Sequence, residues 1–150
     1  MRLFSVSQLS IVRSELRTLT ICSTRTSAMA AICGTAFTLV DPTAQSRSSN
    51  LPMIILDTYG SIITQDSRAR GTVTILKPVD GRTRLPGEID VHTRATFEIR
   101  GSSSAGFPKQ SMGLELRHDD DSDRPMSILG LPADSDWVLY APYTDKTLIR

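Results

Sequence analysis

Met112, Leu114 and Leu116 alternate with Gly113, Glu115 and Arg117, and this period of two constrains the fold more than any other feature of the sequence. Successive side chains of an extended strand point to opposite faces, so one face here is apolar and the other charged. The pattern predicts a strand over Gln110 to Arg117 that is buried on one side only. It recurs upstream. Residues 68–77 alternate through Val73 and Ile75, and residues 90–100 carry Val91, Ala95, Phe97 and Ile99 at partly alternating positions. Pro52 to Leu56 is a short continuous apolar run between Asn50 and Asp57, whose length and β-branched content favour a buried strand over a helix. Trp137 to Tyr140 adds a fifth strand. Pro78-Val79-Asp80-Gly81 separates the second and third runs with the tight-turn chemistry of Asp-Gly. Short strands joined by turns predict a mostly antiparallel β lobe.

Helical signals are confined to the two ends. Leu9, Val12, Leu16 and Leu19 fall at helical spacing, which predicts a short amphipathic helix within residues 1–20. Asp145 gives the stronger signal, because its carboxylate can accept from first-turn amides and suits the positive end of the helix dipole. Leu148 and Ile149 begin a buried face there, so the chain reads as the truncated front part of a longer domain. The expected fold class is α+β. Residues 1–50 hold five Arg against Glu15 and Asp41, a net of +3, whereas residues 51–150 hold twelve basic and fourteen acidic residues, a net of −2. The shift falls at Gln45-Ser46-Arg47-Ser48-Ser49-Asn50. It divides the chain into residues 1–50, a poorly ordered segment or the tail of a preceding region, and residues 51–150, the folded domain.

Composition removes several functions. A net charge of +1 leaves no concentrated basic face of the kind that nucleic acid requires. No apolar run is long enough to span a bilayer. Ala28 to Val40 has only a loose signal-peptide shape, because Thr and Gly dilute it and it lies far from Met1. Cys22 and Cys33 have neither CxxC spacing nor a nearby His, which argues against a metal site. A disulfide and a pair of free thiols both remain open readings.

The residues that can carry chemistry gather between Arg100 and Lys109. Gly101, Ser102, Ser103, Ser104, Ala105 and Gly106 make a small, flexible loop with free amides and hydroxyls, and Lys109 follows at the head of the next strand. Phosphoryl transfer needs such a loop and a fixed cation. A solvated Ser/Gly hairpin with a surface lysine is the competing reading. Two named motifs fail here: Phe107-Pro108 intervenes before Lys109 where a P-loop needs Gly-Lys, and Ala105 stands where a nucleophile elbow needs Gly. The run Asp119-Asp120-Asp121-Ser122-Asp123 spaces carboxylates as a calcium loop does, but Arg124 and Gly130 occupy the positions of the required Gly and Glu. A solvated connection between strands is expected instead. Asp134 reads as a turn residue that need not converge with Asp136 on a metal, and Trp137 as a core anchor.

Five motifs then occur in fixed order. They are Arg100-Gly101-Ser102-Ser103-Ser104, Phe107-Pro108-Lys109, Leu129-Gly130-Leu131-Pro132-Ala133-Asp134, Asp136-Trp137-Val138-Leu139 and Asp145-Lys146-Thr147-Leu148-Ile149-Arg150. Together they resemble the CotH family, known from a spore coat protein and from bacterial surface or secreted proteins. The resemblance covers Leu51 to Arg150 loosely and Phe97 to Arg150 closely. It implies the N-terminal part of an atypical, secretory-type protein-kinase fold that binds ATP and Mg2+ and phosphorylates protein Ser/Thr. It also implies coat or surface proteins as substrates, and an extracellular, cell-surface or spore-coat location. Under it, Arg100, Gly101, Ser102, Ser103, Ser104 and Lys109 face the nucleotide, with Lys109 the catalytic cation. Ser102 stands where the family usually has Asn, and Met112 and Gly113 stand where Tyr and Arg often follow. The family's metal-holding acids, and the Glu that would pair with the lysine, lie beyond the helix that begins at Asp145. The resemblance therefore implies a nucleotide-facing lobe that is inactive alone. The alternative is a non-catalytic coat or cell-surface assembly module.

Overall fold

The computed structural model describes the backbone of Arg2–Ser5 and residues 47–143. Its strands are β1 (Arg2–Ser5), β2 (Ser48–Ser49), β3 (Met53–Asp57), β4 (Ala69–Leu76), β5 (Thr83–Arg84), β6 (Ile89–Arg100), β7 (Ser111–Arg117) and β8 (Asp136–Tyr140). Six of them form one sheet in the order β1-β8-β7-β6-β4-β3, and β2 pairs with β5 in a small separate ladder. Every pair is antiparallel except β1 with β8.

Register turns the alternation of the sequence into one apolar layer. Leu116, Leu114 and Met112 stand opposite Ala95, Phe97 and Ile99. Ala95 and Phe97 in turn face Gly71 and Ala69, while Val91 faces Ile75. Trp137 and Leu139 oppose Leu114 and Met112, and Ile54 and Leu56 oppose Ile75 and Val73. Directly opposed residues share a face, and all of these side chains but Ile99 and Ala69 belong to one continuous core. Phe97 and Leu116 are fully excluded from solvent and Trp137 is 2% exposed. Each such side chain contributes about 1.5–3 kcal/mol through burial. The indole N–H of Trp137 donates to the Asp134 carbonyl at 2.9 Å, so the core anchor also satisfies its polar atom.

Turn chemistry closes the layer. Asp80 and Gly81 have φ of 50° and 74°, and Val79 and Arg82 exchange backbone hydrogen bonds of 2.9 and 3.0 Å. This is the two-residue turn that Asp-Gly favours. The Leu129-Gly130-Leu131-Pro132 motif makes another: Leu129 and Gly130 have φ of 51° and 77°, and Leu131 N donates to Ile128 O at 2.9 Å. A leucine at positive φ is strained. Asp90 holds it by accepting the Leu129 N–H at 2.7 Å, which seats Ile128 in the core with Met126 and Leu129 packed beside it.

Several expectations are corrected. Among the described residues the regular structure is strand apart from one short 3-10 turn, Ser103–Gly106, so the helical half of the α+β expectation has no counterpart there. The helices expected within residues 1–20 and from Asp145 lie outside the described residues, as do both cysteines. β7 starts at Ser111, so Lys109 belongs to the preceding loop and not to the strand. From the segment 1–50, Arg2–Ser5 lies parallel on β8, and Ser48–Ser49 is paired with β5. No helix among the described residues is long and apolar enough to cross a membrane.

Candidate functional site

The antiparallel order brings the C-terminal ends of β3, β6 and β8 to one end of the sheet. There the 58–68 connection, the 101–110 loop and residues 141–143 meet. Ile99 N donates to Thr64 O at 2.9 Å, Ala141 N donates to Ser111 Oγ at 3.0 Å, and the rings of Phe107 and Tyr143 pack at 5.2 Å with a 32° tilt. The loop singled out from the sequence is therefore the tip of the β6–β7 hairpin, braced from both sides.

Its backbone is set residue by residue. Gly101 has φ of 97°, a backbone that L side chains rarely adopt, and a Cβ there would also push aside Ser104 Oγ, 2.0 Å away, so the position favours glycine. Ser102 follows in the right-handed region (φ −81°, ψ −72°). Left-handed followed by right-handed backbone is the geometry that gathers consecutive amides into an anion-binding concavity. The turn that follows closes with Phe107 N donating to Ser104 O at 3.2 Å. The amides of Ser102, Ser103 and Ser104 precede its first internal hydrogen bond, and the described residues supply them no acceptor. Two glutamines hold the loop from behind. Gln65 Nε2 donates to Gly101 O at 2.5 Å, and Gln110 Nε2 donates to Ala105 O.

Arg100 links this loop to a cleft of about 270 Å³ on the charged face of the sheet, where it joins Arg68, Thr96, Glu98, Gly113, Glu115 and Asp136 in the lining. Gly113 forms the floor. A Cβ there would lie 3.0 Å from Glu98 Cγ and 3.2 Å from Arg100 Cδ, so both side chains lean across the space that glycine leaves. Charges along the rim are paired in series. Arg68 bridges Glu98 (3.2 Å) and Glu115, Glu115 also meets Arg117, and Arg117 reaches Asp123 at 2.6 Å. Partial burial pushes the Glu115 carboxyl up. The hydrogen bonds from Arg117 and Thr96, with the charges of Arg68 and Arg117, outweigh that and hold it below the usual carboxylate range.

The acidic run is absorbed in the same lattice. Asp121 pairs with Arg70 and Arg94, both at 3.0 Å, Asp123 pairs with Arg117, and Asp120 accepts both the N–H and the hydroxyl of Ser122. It is a connection between strands that ties Asp121 and Asp123 to arginines. Among the described residues no three His, Cys, Asp or Glu side chains converge as a metal would require. Asp134 lies in the turn before β8, bridged through its backbone to Met126.

Of the residues singled out from the sequence, Gly101, Ser102, Ser103 and Ser104 share one shaped loop, and Arg100 stands at its base. Arg100 lines the cleft, whereas Lys109 and the three serines are not part of that lining. Gln65, Gln110 and Arg68 carried no motif. The two glutamines are singled out by hydrogen bonds to loop carbonyls, and Arg68 by ion pairs reaching 30 and 47 positions along the chain. Comparison with protein-family models, curated proteins and solved structures gives no match for this chain.

Proposed function

We propose that this chain is the nucleotide-facing part of a CotH-like atypical protein kinase, which transfers phosphate from ATP to Ser/Thr of coat or surface proteins outside the cell, at its surface or on a spore coat. One observation carries the reading. The tip of the β6–β7 hairpin combines a left-handed glycine with three successive serine amides that have no acceptor in the turn, beside the cation Arg100. Backbone amides at such a turn suit phosphate oxygens, and serine hydroxyls add further donors. Arg100 and Lys109 would meet the charge of the phosphate chain. Mg2+ does not fit the described residues: no three acidic side chains converge there, and Asp120, Asp121 and Asp123 are engaged by Ser122 and by arginines. A second reading, a non-catalytic assembly module, is favoured by Tyr59, Ile62 and Tyr143, large apolar side chains exposed on segments at the same end of the sheet.

Titration calorimetry of the 150-residue chain with ATP separates the two. Loss of a charge-assisted hydrogen bond is worth roughly 1.5–3 kcal/mol, so Lys109→Ala and Arg100→Ala should each weaken ATP binding on the order of 10- to 150-fold. Melting temperature without nucleotide should move little. Absence of ATP binding, or binding that neither substitution weakens, refutes the nucleotide reading and favours the assembly module.

A further inference from the structure

The serine loop does not hold itself in place. In a trans peptide the carbonyl and the following amide point in opposite directions, so fixing Gly101 O also fixes the direction of Ser102 N–H. Glycine at position 101 puts little steric restraint on that plane, and a flip would turn the Ser102 amide toward Gln65, where the carbonyl now lies. Gln65 Nε2 donates to Gly101 O at 2.5 Å and selects one of the two orientations.

Gln65 reaches that carbonyl from a backbone that is itself pinned. Beside it, Thr64 O accepts Ile99 N, and Thr64 Oγ1 accepts Ser67 N at 3.2 Å. Arg68 then anchors the end of the connection to Glu98 on β6 and Glu115 on β7. At its start Tyr59 N donates to Asp57 Oδ1, and Ser61 N donates to Thr58 O at 2.9 Å. The side chain is thus delivered by a fixed connection and not by a loose loop.

We infer that Gln65 is a positioning residue that holds the Gly101–Ser102 peptide with its amide turned outward, so that the 58–68 connection sets the affinity of the serine loop for a phosphate chain. The effect on affinity rests on the nucleotide reading; the peptide orientation does not. Gln65→Met keeps length and loses the donor. Gln65→Glu puts an acceptor against the carbonyl and drives the flip, and Gln65→Lys returns a donor at similar reach.

The test uses the full chain with two probes, ATP and inorganic tripolyphosphate, and follows the backbone resonances of Gly101 and Ser102 without ligand. Gln65→Met and Gln65→Glu should shift those resonances, with little change in melting temperature, while Gln65→Lys restores them. Affinity for both probes should fall roughly two- to tenfold in Gln65→Met, the equivalent of one neutral hydrogen bond, and further in Gln65→Glu. Unchanged resonances in both variants overturn the inference. Shifted resonances in the variants, together with a wild-type chain that binds neither probe, overturn the nucleotide reading and its affinity consequence and leave the positioning role established.

Discussion

Gly71 is the position where a single methyl group should do the most damage. It faces Ala95 across β4 and β6, and an added Cβ would lie 1.9 Å from the Asp57 carbonyl oxygen, 2.9 Å from its carbon and 3.0 Å from the Phe97 ring. None of these can step aside cheaply. The oxygen belongs to the backbone of the neighbouring strand, and Phe97 is wholly buried among Ala95, Leu114 and Trp137. Overpacking a well-filled core costs about 1–3 kcal/mol, and a backbone clash belongs at the upper end. Glycine to alanine recovers about 0.4–1 kcal/mol by restricting the unfolded chain. The net is about 2 kcal/mol of destabilisation for Gly71→Ala. At about 4–8 °C per kcal/mol for a domain of this size, the midpoint should drop by about 8–16 °C. Thermal and urea unfolding followed by circular dichroism measure it. Gly106→Ala is the control, since nothing lies within 4 Å of its added Cβ, and it should stay within about 0.5 kcal/mol of wild type. A Gly71→Ala midpoint equal to that of the control would refute the reasoning.

Two further outcomes follow from the charged face and the β7–β8 connection. Glu115 is held below its ordinary value in the folded chain, so its contribution is complete above the unfolded value of about 4.3 and is lost as pH falls towards the folded one. Urea unfolding from pH 6 to pH 3 should therefore show a shallower acid loss in Glu115→Gln than in wild type, and parallel curves would sink the assignment. Asp90→Ala removes the acceptor of the strained Leu129 amide and should cost about 1–2 kcal/mol in the same assay, with Asp90→Asn costing less because it keeps an oxygen there.

The strands could be read from the sequence because burial on one side leaves a trace in it. β7 shows this best: its apolar residues pack on the core face while Glu115 and Arg117 remain on the other, and the expected strand misses the observed start by one residue. The Asp80-Gly81 turn was equally legible, since its backbone requires residues that tolerate positive φ. The parallel seat of Arg2–Ser5 on β8 was not, because four residues carry no periodicity to announce a partner far along the chain. Nor could the site be completed. Local composition revealed the Gly101–Gly106 loop, but what fixes it comes from Gln65, 36 positions away from the carbonyl it holds. The acidic run was legible as a connection between strands, but its arginine partners were not, since only the register of β4, β6 and β7 brings Arg70, Arg94 and Arg117 to it.

Gly113 shows how a sequence weakness becomes a structural requirement. Read alone, it weakens a strand and deletes a cation that the resembling family often carries two residues after its serine. In the sheet it sits between Glu98 and Val138, and its missing side chain is what opens the floor of the cleft. Arg100 Cδ lies 3.2 Å from where a Cβ would be, so the arginine of β6 crosses the space that a side chain on β7 would fill. Under the proposed function, a positive charge near the serine loop is therefore supplied from the preceding strand. Glu98 leans over the same glycine, and Arg68 holds it at 3.2 Å. The 58–68 connection is thus tied at both of its attachment points: to the serine loop through Gln65, and to the cleft beside Arg100 through Arg68. A bulky residue at position 113 would displace Glu98 and Arg100 together, and through Glu98 it would disturb the anchor that delivers Gln65 to Gly101.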